Sequence, residues 1–268
     1  LLLVSWNLAG RVKLFEAQAA QLLALHADII CLQETTPRTL PWWRKRLLEA
    51  GYHVCHAAPA DETPGRPLIV LSASRQPVHT LPVANVPWPE RVLSTRQEDG
   101  LQLVNVHSPI SLKPDLAKVR THLAVYRHLA VNAEHPRLLC GDLNTPRREQ
   151  PDGTLWTFAR DRYGRLRPDR GEEWDQAELA LLRGLEPFGF RDAFRELHGY
   201  EHREISWGWR RWRGGYRLDH LLVCGMQIRQ CGYEHAWRTE GLSDHAPLIA
   251  HISRPPLEQG SFAYGFGG

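Results

Sequence analysis

Arg137-Leu138-Leu139-Cys140-Gly141-Asp142-Leu143-Asn144 (RLLCGDLN) is the stretch on which the fold turns. Its first half is a short apolar run, which reads as a strand buried on both faces. Its second half brings a carboxylate and an amide to the place where that strand ends. Working back toward the N-terminus, Pro114–Asn132 carries Leu116, Val119, Leu123, Tyr126 and Leu129 on one stripe and predicts a helix. Before it, Leu101–His107 and Arg91–Arg96 are strand-like and flank Glu98-Asp99-Gly100, a hairpin signal. Val78–Val83, Pro67–Ala73 and Tyr52–His56 read as further strands. Pro41–Ala50 is helical and Gly51 ends it, while Asp28–Gln33 (DIICLQ) is another buried strand. Val12–His26 has helical spacing, and Leu1–Asn7 is an apolar strand.

Downstream, Arg147–Trp174 has the Arg, Asp, Gly and Pro composition of a loop. Trp174–Leu185 predicts a helix, and strand signals return at Tyr216–Cys224 and Ala246–Ile252. No linker divides the chain, so residues 1–253 are expected to form one domain and 254–268 a peripheral tail. Two runs of strands, each with helices to cover an outer face, predict an α/β fold of two packed sheets between helices.

The 268 residues are 43% hydrophobic and 24% charged, which excludes a disordered or fibrous chain. No apolar run approaches the roughly 20 residues of a membrane span. Leu1–Val4 is too short for a signal peptide. Cys31, Cys55, Cys140, Cys224 and Cys231 form no CxxC pair and no zinc spacing, so a reduced, cytoplasmic protein is expected. The net charge of +3 permits an anionic partner without demanding one. Only four of the 33 basic residues are Lys; genome composition accounts for that bias as readily as phosphate recognition does.

Polar residues recur where the apolar strands end: Asn7, Glu34, His107, Asp142 with Asn144, Asp219, and Asp244-His245. Taken singly, each has a plain structural reading. Gly-Asp is a turn former, Ser243-Asp244-His245 a cap, and His107 a satisfied core imidazole. Together, at corresponding strand ends, they can converge on one sheet edge. Carboxylates, an amide and imidazole without thiolate suit a hard cation, and such a set hydrolyses phosphodiesters.

Ser5-Trp6-Asn7, Leu32-Gln33-Glu34-Thr35, Gly141-Asp142-Leu143-Asn144, Arg217-Leu218-Asp219-His220 and Ser243-Asp244-His245-Ala246-Pro247 follow one another as a set. In that set the chain resembles the endonuclease/exonuclease/phosphatase superfamily, most of all the exonuclease III type of apurinic/apyrimidinic (AP) endonuclease. The resemblance implies a four-layer α/β sandwich with two mixed β-sheets. It implies Glu34 as principal ligand of Mg²⁺ (with Mn²⁺ as substitute), Asn7 close by and Asp244 in support. It further implies Asp142 as the base for water, Asn144 orienting water or phosphate, and a cationic His245 on a phosphate oxygen, oriented by Asp219. Two departures stand out. His107 occupies the place of the usual tyrosine, as in other branches of the superfamily, and Ala9 stands where some AP endonucleases have Asp.

Trp207, Trp209, Arg210, Arg211, Trp212 and Arg213 form the densest basic-aromatic cluster, placed where the resembling enzymes border the abasic nucleotide. They are candidate substrate contacts, against the plain reading of Trp packing and solvated Arg. Trp42-Trp43-Arg44-Lys45-Arg46 is a weaker candidate, with helix packing the first reading. The arginines between Arg147 and Arg170 either track a DNA backbone or decorate a soluble insertion. The expected activity is Mg²⁺-dependent incision 5′ to abasic sites in double-stranded DNA by a monomer, with possible 3′-phosphodiesterase or 3′-5′ exonuclease action. The rival within hydrolases acts on RNA, phospholipid, tyrosyl-DNA or DNase I-like substrates. A silent binding module ranks last, because the whole ligand set is present.

Overall fold

Residues of each apolar strand point alternately into two different hydrophobic interiors. In the computed structural model, which describes residues 1–58, 67–110, 116–208 and 214–255, Leu138 and Cys140 face one interior and Leu139 faces another. The same split separates Leu3 from Val4, Ile29 and Cys31 from Ile30 and Leu32, and Leu221 from Leu222. A strand buried on both sides must be covered on both sides, and four layers result.

In chain order the strands are β1 (Leu2–Asn7), β2 (Ile29–Thr35), β3 (His53–His56), β4 (Ile69–Ser74), β5 (Val78–Leu81), β6 (Val92–Gln97), β7 (Gln102–His107) and β8 (Arg137–Asp142). Short pieces follow: β9 (Arg148–Glu149), β10 (Leu155–Trp156), β11 (Arg191–Asp192), β12 (Trp207–Gly208) and β13 (Gly215–Tyr216). The last strands are β14 (Asp219–Cys224), β15 (Gln227–Tyr233) and β16 (Leu248–Ser253). The helices are α1 (Phe15–Ala24), α2 (Leu40–Glu49), α3 (Ala117–Leu129), α4 (Gly171–Leu182), α5 (Ala193–His198) and α6 (His235–Thr239).

One sheet has the order β15-β16-β1-β2-β4-β3 and the other β11-β14-β8-β7-β6-β5. Both are mixed, with β1 parallel to β2 and β7 parallel to β8. Leu3, Ile29 and Cys31 of the first sheet meet Leu103, Leu138, Cys140 and Leu221 of the second in a shared core. Ala19, Leu22, Trp43 and Leu47 bring α1 and α2 onto the outer face of the first sheet. Val125, Leu129, Leu181 and Leu182 bring α3 and α4 onto the second. The four-layer α/β sandwich is therefore observed.

A polar bridge crosses the shared core. Gln33 Nε2 donates to Asn105 Oδ1 at 2.8 Å, and Asn105 Nδ2 donates to the Leu71 carbonyl at 3.0 Å. Both side chains are fully buried. An unmatched amide N–H there would cost on the order of 1–3 kcal/mol, so these donors fix how the sheets sit on each other. Among the described residues Gln33 Oε1 is buried without a partner. Gln33 is the cross-strand partner of Asn7, and Asn105 lies two residues before His107, so the bridge sits just below the rim where these strands end.

Several expectations need correction. α5, α6 and β15 had no sequence signal, and the described residues hold six α-helices where the sequence pattern marks four. α5 and α6 are too short to display a helical period, while β15 is an edge strand with a glycine and a bulge that blur its alternation. The Arg147–Trp174 segment is not all loop: it holds the β9–β10 hairpin, and α4 begins at Gly171. Tyr216 pairs with Trp207 in a separate hairpin, so β14 starts only at Asp219. Trp43 is 1% exposed, and Trp42 packs edge-on against Phe15, which is the helix-packing reading of that pair. All five cysteines are free thiols. Among the described residues no helix is long and apolar enough to cross a membrane. Residues 256–268 of the expected tail lie outside the described residues.

Candidate active site

β1, β2, β7 and β8 deliver Asn7, Glu34, His107 and Asp142 to one rim at their C-terminal ends. Asp219 and Asp244-His245 reach the same rim from the opposite direction. β14 is antiparallel to β8 and pairs Asp219 with Asp142, while β16 is antiparallel to β1. The expectation of one kind of strand end therefore holds for four strands and is corrected for two.

Three of the contacts at the rim, Asn7–Asp142, Glu34–His107 and His245–Asp219, cross from one sheet to the other. Asn7 Nδ2 donates to Asp142 Oδ2 at 2.9 Å and to Glu34 Oε1 at 3.1 Å. His107 Nε2 lies 3.3 Å from Glu34 Oε1 and 4.0 Å from Asp142 Oδ2. His245 Nδ1 is 2.8 Å from Asp219 Oδ2, and its Nε2 is 3.8 Å from Asp142 Oδ2. Asn144 donates through its backbone N–H to Asp142 Oδ1 at 2.9 Å and through Nδ2 to the Ser108 carbonyl at 2.7 Å. Trp207 Nε1 donates to Asp244 Oδ2 at 3.1 Å.

The backbone is shaped to allow this. Glu34 (φ 57°) and Asn144 (φ 50°) both adopt the left-handed region, and Glu34 sits inside a bulge of the β2–β4 ladder. Such positions cost about 1–3 kcal/mol each and cluster where function needs an aimed side chain. Gly141 has φ 123°, and a Cβ there would fall 2.1 Å from the Val106 carbonyl oxygen. Only glycine lets β8 come that close to β7 immediately before Asp142.

The sequence profile of the Endonuclease/Exonuclease/phosphatase family matches residues 4–245. The chain belongs to that family. The fold is similar to an AP endonuclease from Archaeoglobus fulgidus, with TM-score 0.69 and 21% identity over 94% of this chain and 99% of that one. It is similar to a variant of the 3′ phosphatase NExo from Neisseria bound to a product DNA hairpin, at 0.65 and 20% over 94% and 99%. It is also similar to humanized D. rerio TDP2, at 0.65 and 15% over 94% and 98%. No curated protein matches the sequence.

In this endonuclease/exonuclease/phosphatase chain, Glu34, His107 and Asp142 offer ligand atoms within 4.8 Å of one another, as do Asp142, Asp219 and His245. In the second trio Asp219 Oδ2 accepts from Ser206 at 2.6 Å and pairs with the cationic His245, while Asp219 Oδ1 is buried without a hydrogen-bond partner among the described residues. In the first trio the oxygens of Glu34 and Asp142, rather than the His107 imidazole, suit a cation. Burial pushes the Glu34 carboxyl up, against the pull of His245 and the Asn7 amide. Burial likewise raises Asp142 to about 7, with Asp219 and Glu34 adding to it and His245 opposing. Asp244 Oδ1 is buried without a hydrogen-bond partner. Crowded, desolvated carboxylates with an orphaned oxygen, and no thiolate, fit a hard divalent cation.

The two imidazoles differ. Burial alone would push His245 down, but Asp219, with Asp142 and Asp244, raises it to about 10, so it is cationic at neutral pH. Burial, reinforced by Arg91 and His245, pushes His107 well down, so it is neutral. Arg91 Nη1 faces His107 Nδ1 at 3.4 Å, which makes Nδ1 the acceptor and leaves Nε2–H directed at Glu34.

Arg91 was absent from the sequence candidates. The hairpin around Glu98-Asp99-Gly100 could have found it: Val92 pairs with Val106, so Arg91 is the next position, opposite His107. Ser206 and Ser243 were missed as well; Ser243 Oγ donates to the Asn7 carbonyl at 2.7 Å and accepts from the His245 N–H at 3.1 Å. Trp209, Arg210, Arg211, Trp212 and Arg213 lie outside the described residues. Trp207 is half-buried, with its ring parallel to Tyr216 at 6.0 Å.

Proposed function

We propose that the chain is a Mg²⁺-dependent DNA-repair nuclease that hydrolyses the phosphodiester 5′ to abasic sites. It acts as a monomer on double-stranded DNA, with 3′-phosphodiesterase or 3′-5′ exonuclease action at the same rim. The observation that carries this reading is a cationic imidazole, His245, held 3.8 Å from Asp142, a carboxylate poised near neutrality, beside Glu34. A carboxylate with a pKa of about 7 is matched to taking a proton from water at neutral pH. His245, oriented by Asp219, donates to a non-bridging phosphate oxygen as charge builds there. Asn144, tied to Ser108, orients the water or the phosphate. Glu34, with Asn7 and Asp244 in support, would hold Mg²⁺ (Mn²⁺ as substitute), which when bound would supply Lewis-acid stabilisation of the phosphate charge. The abasic substrate is supported by the motif set and by the fold likeness to chains named as AP endonucleases.

A second reading is another phosphodiesterase or phosphatase of the same family. His107 favours it, because a neutral imidazole paired with Arg91 replaces the expected phenol and can donate to a different leaving group. The test uses a labelled duplex with one abasic analogue, in Mg²⁺ and in EDTA. Nicking that requires the metal and falls at least about 100-fold in Asp142→Ala is the expected result. An intact duplex, alongside hydrolysis of bis(p-nitrophenyl) phosphate, would transfer the assignment to the second reading.

A further inference from the structure

Beside the catalytic rim lies a cavity of about 990 Å³, walled on one side by residues 146–151 and on the other by residues 202–205 and 214–217. Both walls continue catalytic loops. Arg147 follows Asn144 by three residues, and Ile205 leads through Ser206 to Trp207, whose backbone bridges to His245.

The floor is electrostatically closed. Glu149 accepts Arg195 Nε at 3.0 Å and Nη2 at 2.6 Å, and Arg217 Nε at 2.9 Å and Nη2 at 2.7 Å. Arg217 Nη2 also donates to Asp192 Oδ2 at 2.7 Å. Two guanidinium groups are thus balanced by two carboxylates and locked in place.

The walls are not balanced. Among the described residues, Arg147, Arg148 and Arg203 form no ion pair with a carboxylate. Arg148 lies over the Trp156 ring at 5.3 Å, and Arg238 faces the imidazole of His235 at 3.3 Å rather than an acid. The acid on this level, Glu204, is engaged by His235 Nε2 at 3.0 Å. The whole chain carries only +3, yet the described lining holds six arginines against two glutamates, so the positive charge is local.

We propose that this groove seats the phosphodiester backbone of the nucleic acid flanking the scissile bond, with Arg147, Arg148, Arg203 and Arg238 as its phosphate contacts. The inference rests on the reading of the rim as a nuclease centre. Planar guanidinium forks along a groove walled by the segments that lead to the candidate rim match a run of phosphates. An acidic peptide would be drawn by the same charge but has no reason to approach that rim.

The experiment measures binding of an intact duplex with a central abasic analogue, in EDTA, from low to moderate salt. The fourfold variant Arg147→Gln, Arg148→Gln, Arg203→Gln, Arg238→Gln is expected to bind at least about 10-fold more weakly. Its slope of log K against log salt should be shallower by about 3.6, from roughly 0.9 for each of the four phosphate contacts. Its hydrolysis of bis(p-nitrophenyl) phosphate in Mg²⁺ should stay within about twofold of the parent. The pair Arg120→Gln, Arg127→Gln, on the exposed side of α3, should leave the slope unchanged. A fourfold variant with the parental slope, an equal loss per charge in the α3 pair, or equal displacement of duplex by poly-glutamate of matched charge would each overturn the proposal. A parent chain that binds duplex through these arginines yet cleaves neither substrate would sink the nuclease reading and leave the groove standing.

Discussion

Trp207 shows how one side chain serves two ends at the rim. Its ring stacks on Tyr216 while its indole N–H holds Asp244 Oδ2 at 3.1 Å. Trp207→Phe keeps a ring and deletes the donor. Partners that orient a metal-supporting carboxylate typically affect metal affinity 10–100-fold. We therefore expect the Mg²⁺ concentration for half-maximal hydrolysis of bis(p-nitrophenyl) phosphate to rise about tenfold, with little change in thermal midpoint. An unchanged Mg²⁺ dependence would separate Trp207 from Asp244. A loss confined to abasic duplex would instead give the ring a role in substrate contact. At this scale much of the site was legible: Asn7, Glu34, His107, Asp142, Asp219 and His245 each end or open a strand-like run, and they do meet. Ser206 and Ser243 were not, because a serine in a loop carries no pattern that distinguishes a positioning hydroxyl from a turn former.

Helices α3 and α4 reach the loops of the candidate site through a buried ion pair. Lys118 is 1% exposed and donates to the Asn144 carbonyl at 2.6 Å and to Glu178 Oε1 at 2.8 Å. Glu178 also accepts from Thr145 Oγ1 at 2.5 Å, the Phe158 N–H at 2.8 Å and Trp174 Nε1 at 2.7 Å. One turn further along α3, His122 accepts from Ser108 Oγ at 2.7 Å; burial and the neighbouring Lys118 hold its pKa at about 3, so it stays neutral. Lys118→Met strands a buried carboxylate and should cost about 3–5 kcal/mol in urea unfolding. The double variant Lys118→Met, Glu178→Gln should recover part of that stability. If the pair positions Asn144, kcat stays depressed about 10-fold or more in the double variant, with KM little changed, and Lys118→Arg restores part of it. Full recovery of kcat with stability would reduce the pair to a structural role. The helix itself was readable from its apolar stripe, but a lysine among apolar positions gives no hint that its partner lies 60 residues away on α4.

For the molecule as a whole, the cluster of Glu149, Asp192, Arg195 and Arg217 sets the response to acid. Burial alone would raise the Glu149 carboxyl, but Arg217 and Arg195 overcome it and hold it at about 2. Burial would raise Asp192 too, and Arg217 with His220 drives it well below the usual carboxylate range. Between about pH 4 and pH 2 the unfolded chain binds more protons at these acids than the folded one, so stability rises with pH there. It is fully present above about pH 5 and is lost as pH falls through the folded values. The urea midpoint should therefore drop steeply from pH 5 to pH 2. Glu149→Gln should flatten that drop and remove roughly 3 kcal/mol at neutral pH; an unaltered acid limb would assign acid sensitivity elsewhere. The layered architecture could be read because continuous apolar strands demand two covers. The ion cluster could not, since Glu149, the Asp192–Arg195 turn and Arg217 come from three separate segments joined only by tertiary docking. The cross-sheet contacts at the rim carry one more consequence. Asn7 with Asp142, Glu34 with His107 and His245 with Asp219 are each split between the two sheets. Turnover is thus a gauge of tertiary docking: a chain that keeps every strand but lets one slab slide by an ångström retains its far-ultraviolet dichroism and falls silent.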